Sequence, residues 1–142
     1  MTNVVKTGAI IDTGPLVALI KDDDDFHDWV TEQLGQIGPP LLSCEAVIAE
    51  TLFLLSATRG GAEAVLGMIA DGFLRLPFRL ESEVASIKRL RSRYASVPMS
   101  LADACLVRMS EQHSSAKIIT LDSDFHIYRR HRRDPIPILC PR

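Results

Sequence analysis

The chain has 142 residues, 46% hydrophobic and 24% charged, with a net charge of −2 from 16 basic and 18 acidic residues. That mix excludes a disordered chain, and a domain of this length buries roughly 68–70% of the surface its unfolded form exposes, so one core suffices without disulfides or structural metal. No apolar run approaches the ~18 residues of a membrane span, and residues 4–11, cut by Lys6 and Gly8 before Asp12, are too short for a signal peptide, so a cytoplasmic location is expected.

Residues 8–12 form a short apolar run ending in an acid, followed by Thr13-Gly14-Pro15 and the apolar residues 16–20. This reads as strand, turn and helix, with Pro15 suited to the first helical position. The four aspartates 22–25 precede Phe26-His27-Asp28-Trp29-Val30, where acids in a first helical turn complement the helix dipole. The stretch from Gly35 to Pro40 breaks the chain, residues 39–43 suggest a strand, and residues 45–56 and 61–71 suggest helices. Residues 73–78 are expected to be extended and residues 81–94 helical. A helix over residues 101–113 follows, then a strand over 116–122 that again ends in an acid, and an edge strand over 136–139, where prolines cannot serve a central ladder. No repeat or linker divides this order, so residues 1–142 read as one α/β domain with a mainly parallel central sheet flanked by helices.

Functional crevices in such sheets lie beyond the carboxyl ends of the strands, where Asp12 and Asp122 are expected. Each acid alone has a plain structural account. Asp12 can open a turn, Ser100 and Asp103 can cap a helix, and Asp122 or Asp124, beyond an apolar strand, can be a turn or cap residue. Glu50 is harder to explain, because its helical neighbours Ala46, Val47, Phe53 and Leu54 are apolar, a costly setting for an unpaired charge. Together these acids place up to five carboxylates at one end of a parallel fold, an arrangement that repels itself unless a cation offsets it. Oxygen donors without a His/Cys cluster favour Mg²⁺ or Mn²⁺ over zinc, and the chemistry implied is phosphodiester hydrolysis. Cys44, Cys105 and Cys140 lack CxxC spacing and read as core thiols. The segment 126–142 carries Arg129, Arg130, Arg132, Arg133 and Arg142 against Asp134 alone. It is either a solvated turn or, beside the acidic body, a surface that attracts a polyanion to an acidic site that holds metal.

Ile10-Ile11-Asp12-Thr13, Glu50 within residues 46–55, Ser100-Leu101-Ala102-Asp103-Ala104 and Ile119-Thr120-Leu121-Asp122-Ser123-Asp124-Phe125 resemble, in order, the acidic motifs of the PIN-domain nucleases. The likeness spans nearly the whole chain, and the short single-domain form, with His27 in its helix start, is similar to the VapC-type toxins of toxin–antitoxin pairs. The resemblance implies a Mg²⁺-dependent endoribonuclease with Asp12, Glu50, Asp103 and Asp122 as its acidic quartet and Asp124 as auxiliary or substitute. Asp12, Asp103 and Asp122 would hold the metal, supported by the hydroxyls of Thr13 and Thr120. It also implies an RNA substrate, a homodimer and a small antitoxin whose tail occupies the acidic groove. The alternatives are a housekeeping nuclease without an antitoxin, or a non-catalytic RNA-binding or interaction domain on the same fold. A haloacid-dehalogenase phosphatase is excluded by Gly14 where its second aspartate would stand, and neither GxSxG nor a P-loop is present.

Overall fold

The computed structural model describes residues 8–141; residues 4–7 of the N-terminal apolar stretch, and Arg142 of the basic segment, lie outside them. Five strands form the central sheet: Ile10–Ile11 (β1), Leu41–Leu42 (β2), Leu74–Arg75 (β3), Ile118–Ile119 (β4) and Ile138–Leu139 (β7). They lie in the order β3-β2-β1-β4-β7, with every neighbouring pair parallel. Ile10 pairs with Leu42 on one side and Ile118 on the other, and all four isoleucines of β1 and β4 are fully buried. Strands covered on both faces need such continuous apolar runs rather than an alternating pattern. Gly8 enters β1 against the backbone of Pro40, so close that a β-carbon there would overlap the Pro40 carbonyl.

The connecting helices are Thr13–Ile20 (α1), His27–Ile37 (α2), Glu45–Leu54 (α3), Gly61–Ala70 (α4), Leu80–Arg93 (α5) and Leu101–Gln112 (α6). The α6 helix is the most deeply set: Ala104, Leu106, Val107 and Met109 are fully buried against the sheet. Two residue pairs, Arg129–Arg130 (β5) and Asp134–Pro135 (β6), form a small antiparallel hairpin apart from the main sheet. The edge strand expected over residues 136–139 is β7, and Cys44 and Cys105 are buried core thiols, while Cys140 is half-buried.

Four local expectations are corrected. Helix α1 begins at Thr13, not Pro15, because the Asp12 side chain accepts the Thr13 N–H and caps the helix two residues earlier. Proline is tolerated at that third position, since the N–H groups of a first turn have no partner within the helix. The aspartates 22–25 lie before α2 rather than in its first turn, where Asp28 stands instead. Asp24 accepts the Phe26 N–H and so closes a turn. Extended structure over residues 73–78 is limited to β3, and the basic segment folds in part as the β5–β6 hairpin, whose partners lack an alternating apolar pattern to betray them.

Candidate active site

The chain runs outward from β1 through β2 to β3, then returns to place β4 on the other side of β1. The crevice beyond the carboxyl ends of β1 and β4 is therefore the switch point of the sheet, where ligand sites of open α/β folds lie. A cleft of about 620 Å³ opens there, lined by Asp12, Thr13, Glu50, Asp103, Asp122 and Asp124 among others. All five expected acids thus meet in one depression.

Asp12 ends β1 as the N-cap of α1 and is 7% exposed. Its Oδ1 accepts the Thr13 N–H at 2.7 Å and its Oδ2 accepts the Thr120 hydroxyl at 2.7 Å. Burial pushes its carboxyl up to about 6, against the lowering effect of those two hydrogen bonds and with added repulsion from Asp103 and Asp122. Thr120, fully buried just beyond β4, also accepts the Asp122 N–H at 2.9 Å, so one hydroxyl fixes both strand-end acids. Asp122 in turn accepts the Asp124 N–H at 2.9 Å and caps the short helical turn Ser123–His126. Gly14 keeps this end of α1 close to the Leu121 side chain, 3.2 Å from where its β-carbon would be.

Asp103 stands in the first turn of α6, its N–H held by the Ser100 hydroxyl at 3.0 Å, the capping pair expected from the sequence. Burial raises its carboxyl above the usual carboxylate range, opposed by a hydrogen bond from Tyr128, with Asp122 and Glu50 adding repulsion. The Tyr128 hydroxyl donates to Asp103 Oδ2 at 2.8 Å from a fully buried ring. Tyr94 and Phe125 pack edge-on against that ring at 5.1 and 5.2 Å between centroids. Sequence reasoning missed Tyr128. It lies 25 residues from Asp103, and no local pattern links them.

Glu50 is placed differently from its sequence reading. It lies on the exposed side of α3, with Phe53 and Leu54 76% and 51% exposed beside it, so of its four apolar neighbours only Val47 is fully buried. The core side of that helix carries Val47, Ile48 and Thr51. Glu50 reaches the cleft through the Thr13 hydroxyl, which donates to its Oε2 at 3.4 Å.

Among the described residues the ion pairs are those of Arg108 with Glu83 and Glu111, so no cationic side chain is paired with an acid of the cleft. The donor set is all oxygen and self-repelling, with Asp12 buried and the other acids more open, which fits a hard divalent cation. Among the described residues, however, no three histidine, cysteine, aspartate or glutamate side chains are arranged to hold one ion between them. Hydrogen bonds turn Asp12, Asp103 and Asp122 each to a separate partner, and Mg²⁺ typically takes only one or two carboxylates and keeps several waters.

The basic segment is not at this cleft. The Arg129 Nη1 donates to the carbonyls of His126, Ile127 and Tyr128, and the Arg130 Nη1 donates to those of Ser110 and Ser114 at the end of α6. Arg132 and Arg133 are exposed.

The PIN domain family model matches residues 9–130 of the chain. This chain belongs to the PIN-domain family. Within it the likeness is to the VapC type: the sequence is 30% identical over 125 residues to Ribonuclease VapC26 of Mycobacterium tuberculosis, covering 86% of this chain and 87% of that one. The crystal structure of VapC20 from the same organism, described as a Sarcin-Ricin loop cleaving toxin, superposes with a TM-score of 0.69 at 21% identity, over 82% of this chain and 92% of that one. That likeness concerns the fold. The α/β PIN-like fold with a mainly parallel sheet flanked by helices that the sequence led one to expect is thus found, with five strands, all parallel.

Proposed function

We propose that this PIN domain is a Mg²⁺- or Mn²⁺-dependent endoribonuclease and the toxin of a toxin–antitoxin pair. The observation that carries the reading is the acidic cleft at the switch point, with Asp12 buried at its floor, whose carboxylates have no cationic side chain against them among the described residues. Asp12, Asp103 and Asp122 would hold the cation, which when bound would activate water and offset charge on the scissile phosphate. Asp122 is preferred to Asp124 as the fourth acid because it is the one that repels both Asp12 and Asp103. Thr120 orients the Asp12 carboxylate and holds the Asp122 backbone, Thr13 holds Asp12 through its N–H and Glu50 through its hydroxyl, and Glu50, at the solvent edge, is suited to accept a proton from the attacking water. The ribonuclease name of the VapC26 relative supports RNA as substrate.

The exposed Phe53 and Leu54 beside the cleft support a protein partner there, in keeping with a homodimer and with an antitoxin whose tail enters the acidic groove. Among the described residues no helix is long and apolar enough to cross a membrane, which supports action on cytoplasmic RNA. A second reading, a non-catalytic RNA-binding PIN domain, draws on the lack of a preformed three-ligand metal site among the described residues. One assay separates them. Wild-type protein should cleave single-stranded RNA in Mg²⁺ and stop in EDTA, while Asp12→Asn should be inactive; binding without cleavage by the wild type would favour the second reading.

A further inference from the structure

A second cavity, of about 280 Å³, lies between α5, α6 and the β5–β6 hairpin, lined by Ser86, Arg89, Leu90, Arg93, Arg108, Glu111 and Arg132. Four arginines face one another there, an arrangement that repels itself unless acids or a bound anion offset it. The acids within reach are already engaged. Glu83 and Glu111 both pair with Arg108, at 3.2 and 3.0 Å. The remaining oxygens of these acids accept from Gln112 Nε2 and, at 2.6 Å, from the His131 N–H. Among the described residues Arg89 has only the Ser86 hydroxyl at 3.3 Å, while the side chains of Arg93 and Arg132 have no hydrogen-bond or ion-pair partner.

Arg132 is held at this spot by an unusual backbone. His131 and Arg132 have φ of 51° and 71°, the left-handed region that side chains rarely adopt, and the bond from His131 to Glu111 ties the turn onto α6. The fold thus brings a third free guanidinium over the two on α5. Guanidinium groups pair bidentately with phosphate oxygens, and three of them facing one small cavity match a phosphodiester rather than a base.

Both sites adjoin α6, with Asp103 lining the acidic cleft and Arg108 and Glu111 lining the basic cavity. Eight residues of helix advance roughly 12 Å, or three to four phosphate spacings of a stacked strand at about 3.4 Å each. We propose that Arg89, Arg93 and Arg132 form a phosphate-binding subsite for the backbone of single-stranded RNA whose scissile bond lies in the acidic cleft. The identity of the strand as a substrate rests on the nuclease reading above; the anion site itself does not.

The test is fluorescence anisotropy of a labelled single-stranded RNA with full-length protein in EDTA, where no turnover occurs, as a function of salt. Arg89→Gln combined with Arg93→Gln should reduce the salt slope by about 1.4, at roughly 0.7 per lost contact, and weaken binding about 25-fold at 0.1 M salt. The control pair Arg75→Gln and Lys88→Gln removes equal charge, from β3 and from the opposite side of α5. An equal loss in the control would reduce the effect to net charge and overturn the subsite, as would an unchanged slope in the first pair. Inorganic phosphate distinguishes the source of the anion. Tight binding of phosphate that the first pair abolishes, with the RNA slope unchanged, would overturn the strand in favour of a free anion. Protein that binds RNA through these arginines yet never cleaves it would sink the nuclease reading and leave the subsite standing.

Discussion

Replacing Asp12 by asparagine should change stability with opposite sign at low and at neutral pH. The Asp12 carboxyl is pushed from 3.8 to about 6 in the fold, chiefly by burial. A raised carboxyl favours the protonated folded state, so its contribution is present below the unfolded pKa and is lost as pH rises through the folded one. Between pH 3.8 and about 6 the folded chain binds more protons than the unfolded one, and stability falls. Above that range the buried charge weakens the metal-free protein by about 3 kcal/mol, at 1.36 kcal/mol per pKa unit. The asparagine carries no such penalty, but it can accept from only one of the Thr13 N–H and the Thr120 hydroxyl, a loss of about 1–2 kcal/mol. The variant should therefore be about 1–2 kcal/mol more stable than wild type at pH 7.5 in EDTA, and level or slightly weaker at pH 4.5. The swing of about 2 kcal/mol corresponds to roughly 1 M in the urea midpoint for a domain with a slope of about 2 kcal/mol/M. Urea unfolding at the two pH values measures it. A difference between the proteins that keeps the same sign and size at both pH values would refute a buried, unpaired Asp12 charge.

Glu50→Gln should leave the melting temperature nearly unchanged, because its carboxylate is exposed, and should lower RNA cleavage by about 10²–10⁴ if it accepts the proton in turnover. Tyr128→Phe keeps the buried ring but removes the bond to Asp103; calorimetry should register a loss of about 1.5–3 kcal/mol, and Mn²⁺ titration a weaker site with the Asp103 carboxyl raised further. Arg130→Gln removes the two bonds to the Ser110 and Ser114 carbonyls, so it should destabilise the protein by about 1–3 kcal/mol and leave the salt slope of RNA binding alone. A fall in that slope would make Arg130 an RNA contact.

The sheet was legible because its central strands announce themselves. Ile10-Ile11 and Ile118-Ile119 are apolar on both faces and end in acids, and in a parallel sheet both ends point the same way. The acids of the cleft were legible for the same reason: strand ends and helix starts have fixed positions once the topology is known. What stayed hidden depends on pairing between distant segments. The Tyr128 hydroxyl on Asp103, the hairpin that carries Arg129 and Arg130, and the carbonyls that occupy them arise only when residues 126–135 fold over α6. Glu50 misled because helical periodicity identifies an apolar stripe without saying whether it meets the core. On α3 the stripe through Phe53 and Leu54 meets solvent.

That exposed stripe and the buried charge of Asp12 are two forms of the same incompleteness. An isolated chain gains nothing from either: solvent wets Phe53 and Leu54, and Asp12 loses hydration without an ionic partner. Thr120 sharpens the point, since its hydroxyl uses both a donor and an acceptor to hold Asp12 and Asp122 in place while doing nothing to relieve their repulsion. A ligand that binds the folded chain alone stabilises it by about 2.7 kcal/mol at a hundredfold excess over Kd, close to the ~3 kcal/mol that the Asp12 charge removes. A divalent cation would offset the acids, and a protein surface would cover the apolar stripe that borders them. The two events are adjacent, because Glu50 and Leu54 lie on one helix and both line the cleft, so a partner that covers Leu54 also narrows the way to the acids. Occlusion of the cleft by such a partner would therefore need no conformational change in the PIN domain.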